Sequence, residues 1–307
     1  MVDLHAIAQR YGGKVSGNEC LIPTPGHSAR DRGTAIRVAP GAPDGLLVTC
    51  FNGAQTDALS VKDMLREDGF LPPRDGLARP ITSAERRALR DAQLTRVRER
   101  EAAQQTAAMV ARGIWNNGRQ ADAAHPYLAR KGFGAFGIRQ TGAMLLVPMI
   151  DAEFTLWNLQ RIRGDGTKMF LPSGRTKGLF WPHAAHQADG KPSDGPLVIG
   201  EGYSTMAAIH AATGLGVIAA MTARNLEAVA VTMRRMFPGR AIVIAADDDS
   251  HLKDNLGMNE AQKAGRAIGA PVATPRAHSA PGEPGADFGD IPHQAIAQRL
   301  AAAIRGE

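Results

Sequence analysis

Glu201 sits between two glycines just after the short apolar run Leu197–Gly200, and Asp247-Asp248-Asp249 follows directly on the apolar run Ala241–Ala246. Side chains alternate in an extended segment, so Asp247 and Asp249 face one side and Asp248 the other. Two carboxylates so spaced, joined by a third from a neighbouring strand, make an oxygen-rich cradle for Mg²⁺. That ion takes a few carboxylates and keeps water or phosphate oxygens for its other positions. Without a cation, like charges this close raise one another's pKa. Glu201, Asp247 and Asp249 are therefore the candidate metal ligands, with Mg²⁺ the expected cofactor and Mn²⁺ its substitute in vitro. One Asp at a strand end is ordinary loop composition. Acids at the ends of two apolar runs in one alternating segment point to a metal.

The elements that must position these groups are readable along residues 197–274. Leu197–Gly200, Gly216–Met221, Ala241–Ala246 and Pro271–Thr274 read as strands. Tyr203–Ala212 and Met258–Ile268 read as helices, and Leu226, Val229, Met233, Met236 and Phe237 recur at helical spacing. Strands alternating with helices imply a parallel sheet with right-handed crossovers, whose chemistry gathers at the carboxyl ends of the strands. Upstream, residues 113–192 have broken periodicity. Ala143–Ile150 and Phe154–Ile162 are strand candidates there, with turns at Gly164-Asp165-Gly166 and Ser173-Gly174 and a linker at Pro192-Ser193-Asp194-Gly195-Pro196. Residues 82–112 read as one long helix, started by a Thr82–Glu85 capping box with Ile81 as staple. Its apolar stripe is thin, which suits a connector or a nucleic-acid-facing helix. In residues 1–75, the β-like runs Ala35–Val38 and Leu46–Phe51 are separated by turns at Pro40-Gly41 and Asp44-Gly45. A helix near Ala58–Glu67 ends at Gly69, and Leu71-Pro72-Pro73 marks a boundary.

A length of 307 residues favours about two domains, and 44% hydrophobic with 21% charged residues is a folding composition. The apolar runs fall well short of the ~18 residues of a spanning helix, and the start lacks a basic-then-apolar signal pattern. The expectation is a soluble, cytoplasmic protein with no membrane partner. Two cysteines cannot build a disulfide framework. The net charge of +6 is unevenly spread. Residues 79–112 hold 8 Arg and 4 acids, and residues 113–192 hold 10 basic and 5 acidic residues, whereas the two flanking segments are slightly acidic. A basic middle third beside an acidic site points to a polyanion, of which nucleic acid is the natural case.

The stretches LVIGEGYSTMAAIHAATG (197–214) and IVIAADDDSHLKDNLGMNEAQKAG (242–265) resemble the Toprim domain shared by primases, type IA and II topoisomerases and some nucleases. Glu201, Asp247 and Asp249 match that family's acidic positions. The helix start Gly257-Met258-Asn259-Glu260-Ala261 and the later Ala286-Asp287-Phe288-Gly289-Asp290 resemble the primase branch of plasmids, phages and integrative elements. That branch usually reads Asp-Phe-Asn-Asp at the latter motif, so Gly289 departs from it, and Asp287 and Asp290 are second-tier metal candidates. LQRIRGDGTKMFLPSGRTKGLFWP (159–182) is similar to the basic stretch that precedes Toprim in bacterial primases. The resemblance implies that Arg161, Arg163, Lys168 and Lys177 bind template and nucleotide phosphates. HPYLARKGF (125–133) resembles a segment just upstream in the mobile-element primases.

Residues 17–38 and 44–53 resemble the zinc ribbon that opens bacterial primases. The first ligand pair reads Thr24-Pro25-Gly26-His27 and the second Cys50-Phe51-Asn52-Gly53, and Cys20 is wrongly spaced to substitute. Half a tetrahedral site holds structural Zn²⁺ poorly, so no structural Zn²⁺ is expected, and Cys20 and Cys50 become small hydrophobes.

The implied fold class is α/β. A Toprim domain, with a parallel four-stranded sheet and flanking helices, is preceded by an α+β primase-core subdomain and a small zinc-ribbon-like N-terminal β domain. The expected layout is a degenerate ribbon at 1–75, a basic helical linker at 76–112, a basic primase core at 113–190, Toprim at 191–278 and a C-terminal tail with a short helix at 279–307. The implied function is metal-dependent primer synthesis on single-stranded DNA in mobile-element or phage replication. Glu201, Asp247 and Asp249 are the catalytic residues, with Glu201 either completing the metal site or acting as general base. The expected partners are single-stranded DNA and nucleotides. No P-loop motif occurs, so a replicative helicase would be encoded separately. A Toprim nuclease and a non-catalytic Toprim-fold nucleic-acid-binding or regulatory protein remain open alternatives. Two rivals fit less well. Gly202-Tyr203-Ser204-Thr205-Met206 lacks the last glycine of a nucleophile elbow, and Gly200-x-Gly202-x-x-Thr205 lacks the third glycine of a dinucleotide fingerprint.

Overall fold

The computed structural model describes residues 2–28, 30–42, 44–51, 55–72, 83–186, 193–249, 254–276 and 286–306. Ile81, Thr82, Asn52, Gly53, Pro73 and Pro192 therefore lie outside the described residues. The chain forms two compact units, Met1–Ala92 and Gln93–Glu307.

In the first unit, Asp3 caps helix α1 (Leu4–Tyr11) by accepting the N–H groups of His5 and Ala6. Strands β1 (Lys14–Ser16), β2 (Glu19–Ile22), β3 (Thr34–Val38) and β4 (Leu46–Cys50) then form an antiparallel meander in chain order. Alternation along β4 buries Leu46 and Val48 and leaves Leu47 and Thr49 exposed. Helix α2 (Gln55–Glu67) follows, and Val61 and Leu65 join Ile7, Cys20, Ile22 and Ile36 in one core. Asp44 ties α2 down through Lys62 at 2.8 Å and Arg66 at 2.9 Å.

Helix α3 (Ser83–Asn117) outruns the expected 82–112 by about a turn and ends before Gly118. Its apolar side is buried only near its end, where Ala111, Ile114 and Trp115 pack on Leu146, Leu159 and Leu171.

The second unit holds two sheets. The first is antiparallel throughout: β5 (Arg119–Gln120), β6 (Arg139–Thr141), β7 (Met144–Ile150), β8 (Leu156–Ile162) and β9 (Lys168–Phe170), side by side in that order. Helix α4 (Pro126–Lys131) lies between β5 and β6 in the chain. His125 caps it, with Nδ1 accepting the Tyr127 N–H at 3.2 Å and Nε2 donating to the Ala143 carbonyl at 3.1 Å. A pair of backbone hydrogen bonds between Ile150 and Phe180 leads into β10 (Trp181–His183).

The second sheet comprises β10, β11 (Leu197–Gly200), β12 (Gly216–Ala219), β13 (Ile242–Ala245) and β14 (Val272–Ala273). Its order is β10-β12-β11-β13-β14. The last four are mutually parallel, as the alternating pattern requires, and β10 adds an antiparallel edge from the preceding segment. Every residue of β11, β12 and β13 is buried, because helices cover both faces. Helices α5 (Tyr203–Thr213) and α8 (His293–Arg305) cover one face, and α6 (Leu226–Met236) and α7 (Leu256–Ile268) the other. Helix α8 falls in the segment read as a tail with a short helix, and its Ile296 and Leu300 sit in the core. Burying each contributes about 1.5–3 kcal/mol. Among the described residues, no helix is long and apolar enough to cross a membrane.

Candidate active site

Strand β11 lies between β12 and β13, so the chain leaves it toward one side and returns on the other. That switch point is where an open parallel sheet leaves a crevice at its carboxyl edge. Gly200 pairs with Ala245 in register, so Glu201 and Asp247 emerge close together from neighbouring strands. Glu201 lies at the bend after β11, held by the segment that follows β12. Its carbonyl accepts the Met221 N–H at 2.7 Å, and its carboxylate takes the Ala223 N–H.

Asp248 is buried and turned inward, where it accepts the Asn255 Nδ2 at 2.8 Å. Its backbone forms an antiparallel bridge with Ala286. Alternation on both sides of that bridge brings Asp287 to the same side as Asp247 and Asp249. Asp249 Oδ2 accepts the Gly257 N–H at 3.1 Å, at the positive end of α7. Gly257 has to be glycine for this approach, since a Cβ there would lie 2.6 Å from the Asp247 carbonyl oxygen.

The charges of these groups act on one another. Burial, then Glu201, Asp287 and Asp249, push Asp247 up to about 8, and Lys168 opposes them. Burial and Asp249 hold Glu201 above the usual carboxylate range, against the Ala223 N–H and Lys168. Burial and Asp290 raise Asp287, against Lys131 and Lys168. Thr205 Oγ1 donates to Asp247 at 3.4 Å. The donor set is hard, oxygenous and over-charged, which fits a divalent cation such as Mg²⁺ in kind. Among the described residues, no three His, Cys, Asp or Glu side chains already converge to enclose an ion.

The basic residues divide between two faces of the antiparallel sheet. Lys168 pairs with Ile162, whose side chain faces the core shared with the parallel sheet. Lys168 is accordingly felt by Glu201, Asp247 and Asp287. Arg161 pairs with Leu146, which belongs to the cluster on the α3 side, so Arg161 and Lys168 do not share a face. Among the described residues, Arg161 Nε is buried without a hydrogen-bond partner. Arg163 is exposed at the β8–β9 turn, where its backbone pairs with Thr167. Lys177 is exposed on the loop before β10.

Three site residues escaped the sequence reading. Lys131, at the end of α4, lies 3.4 Å from Asp290. Burial pulls its pKa down, but Asp287 and Asp290 together raise it. Asn255 caps α7 and holds both Asp248 and the Asp249 N–H. Asn225 sits under the Lys177 loop. An Asn just before a helix is the available signal for both Asn255 and Asn225; nothing local marks Lys131. Asp290 is exposed, accepts the Asp287 N–H and lies beside Lys131. The Gly289 N–H donates to Asp287 Oδ1.

In the first unit, Thr24 is buried and its hydroxyl accepts from Thr34 at 3.0 Å, while Thr34 also reaches Cys50 Sγ at 3.5 Å. His27 lies against Asp31 at 3.7 Å. Cys20 faces the core and Cys50 is half-buried, both as free thiols.

Residues 196–297 match the Toprim domain family. Over 195 residues the chain is 35% identical to a DNA primase TraC of Escherichia coli, a match covering 59% of this chain and 13% of that protein. A second Escherichia coli DNA primase TraC is 37% identical over 165 residues, covering 52% of this chain and 15% of its own length. The chain thus spans a small fraction of the curated relatives it matches. A DnaG primase catalytic domain bound to ssDNA aligns with a TM-score of 0.46 at 13% identity, covering 67% of this chain and 83% of that one. The zinc-binding and RNA polymerase domains of the Aquifex aeolicus primase align with a TM-score of 0.44 at 11% identity, covering 99% and 83%.

Proposed function

We propose that this chain is a Toprim-type DNA primase, a nucleotidyltransferase that synthesises primers on single-stranded DNA in the replication of a plasmid or similar mobile element. The observation that carries the reading is the set Glu201, Asp247, Asp249 and Asp287 at a sheet switch point, faced by Lys168 and Lys131. Glu201, Asp247 and Asp249 would hold Mg²⁺ or Mn²⁺, with Asp287 beside them. The ion supplies charge stabilisation of the attacking and leaving oxygens when bound. Lys168 and Lys131 orient the nucleotide phosphates next to the acids, as ammonium groups do for phosphate oxygens. Lys177 and Arg163 are exposed and meet the nucleic-acid backbone, and Arg161 meets it on the far face of its sheet.

The test is synthesis of labelled oligonucleotides on single-stranded DNA with Mg²⁺ or Mn²⁺, comparing the wild type with Asp247→Asn/Asp249→Asn. Metal-dependent products from the wild type alone are the expected result. Absence of products together with metal-dependent degradation of the template identifies a nuclease. Absence of both, with salt-sensitive DNA binding intact, identifies a binding protein.

A further inference from the structure

The loop between β9 and β10 carries Arg175 and Lys177 and is pinned by two buried amides. Asn158 on β8 accepts the Leu171 N–H at 3.2 Å and donates to the Arg175 carbonyl at 2.8 Å. Asn225, only 6% exposed, uses every polar group it has. Its Oδ1 accepts the Gly178 N–H at 2.7 Å. Its Nδ2 donates to the Leu179 carbonyl at 2.8 Å and the Ala220 carbonyl at 2.7 Å, with the Thr176 carbonyl at 3.3 Å.

Those partners lie on two different pieces of the molecule. Thr176, Gly178 and Leu179 bracket Lys177. Ala220 belongs to the turn after β12, in which Met221 bonds the Glu201 carbonyl and Ala223 bonds the Glu201 carboxylate. One side chain therefore ties the loop bearing Lys177 to the turn that holds Glu201. An apolar residue of the same volume would leave the Gly178 N–H and two carbonyls buried without partners.

We propose that Asn225 is a positioning residue that fixes Lys177 relative to the carboxylate site, so that the ammonium meets a nucleic-acid phosphate in register with Glu201. This rests on the nucleic-acid reading above. Asn225 touches no substrate itself and acts through the loop backbone.

The experiment is binding of a labelled single-stranded oligonucleotide by the full chain, followed by anisotropy over a salt series. Lys177→Ala should lower the slope of log K against log salt by about one and weaken binding about 3–10-fold. Asn225→Ala should reproduce most of that loss, and should add less than about 2-fold in the Lys177→Ala background. A purely structural Asn225 would lower the melting temperature, leave the salt slope unchanged and multiply independently with Lys177→Ala; any of the last two results overturns the proposal. No effect of Lys177→Ala on binding overturns it as well. Should Asn225→Ala fail to fold, Gly178→Ala decides. Gly178 has a φ of +73°, where a side chain is strained, so the loop shifts while the Asn225 side chain and the sheet stay intact. A normal salt slope for Gly178→Ala overturns the proposal, and a lowered one supports it. Primer synthesis, measured alongside, separates the two ideas. Wild type without products but with the coupled slopes defeats the catalytic reading alone, and products with uncoupled slopes defeat the positioning role alone.

Discussion

The two sheets of the second unit treat charged residues in opposite ways. In the parallel sheet, strands β11 and β13 run side by side in the same direction, so the residues that follow them leave from one edge and Glu201 meets Asp247. In the antiparallel sheet, Arg161 on β8 and Lys168 on β9 belong to adjacent register pairs, and alternation sends them to opposite faces. Proximity along an antiparallel hairpin thus separates groups that proximity across a parallel sheet combines. A cluster of like charges is expensive to build, and the parallel switch point is where the fold accepts that cost, in burial and repulsion on Asp247.

The largest effect that can break this comparison is on the carboxylates. Asp247→Asn/Asp249→Asn should lower synthesis by about 10³-fold or more, in the range that removing electrostatic stabilisers of a transition state costs. The melting temperature should hold or rise, since mutual repulsion is relieved. A loss of activity accompanied by unfolding would mean that the acids are structural.

The parallel sheet also depends on being covered on both faces. Ile296→Ala on α8 should cost about 2–5 kcal/mol in urea unfolding, whereas Leu47→Ala on the exposed face of β4 should stay within about 0.5 kcal/mol. Equal losses at the two sites would contradict the burial described above.

Separation of the cations is tested by their additivity. Lys168→Ala should lower kcat/KM by about 10–100-fold and Arg161→Ala by less than about 5-fold, with the double variant near the product of the two. Strong coupling between them would place both on one face.

A smaller effect comes from β10. His183 stacks on Trp181 and meets His210 at 4.5 Å between ring centroids, and burial, then His210, pulls its pKa from 6.5 to about 4. The unfolded chain therefore binds the extra proton first. Stability from this group is complete above about pH 6.5 and is lost as the pH falls toward about 4. Melting temperature should drop across that window, and His183→Gln should flatten the drop. An unchanged profile in His183→Gln would assign the pH dependence elsewhere.

Much of this molecule is legible in its sequence. Continuous apolar runs mark β11, β12 and β13 to within two residues, because a strand buried on both faces leaves no room for polar alternation. The acids at their ends were equally plain. Helix α1 and strands β1 and β2 were missed, since eight, three and four residues carry too little periodicity. Residues 279–307 read as a tail with a short helix, and the amphipathic face of α8 matters only once α5 is beside it.

The sequence by itself determined which residues are acids, which are cations, and that three acids would stand at the ends of parallel strands. Chain direction and side-chain period are local properties, so they can be read locally. Only the tertiary structure decided that Asp287 joins those acids through the Asp248–Ala286 bridge, that Lys131 reaches them from α4, and that Arg161 turns away. It also decided that Asn225 fastens the Lys177 loop, 48 positions upstream, to the Glu201 turn. Each of those depends on backbone register or on packing between segments far apart in the chain, and no local pattern of residues encodes either.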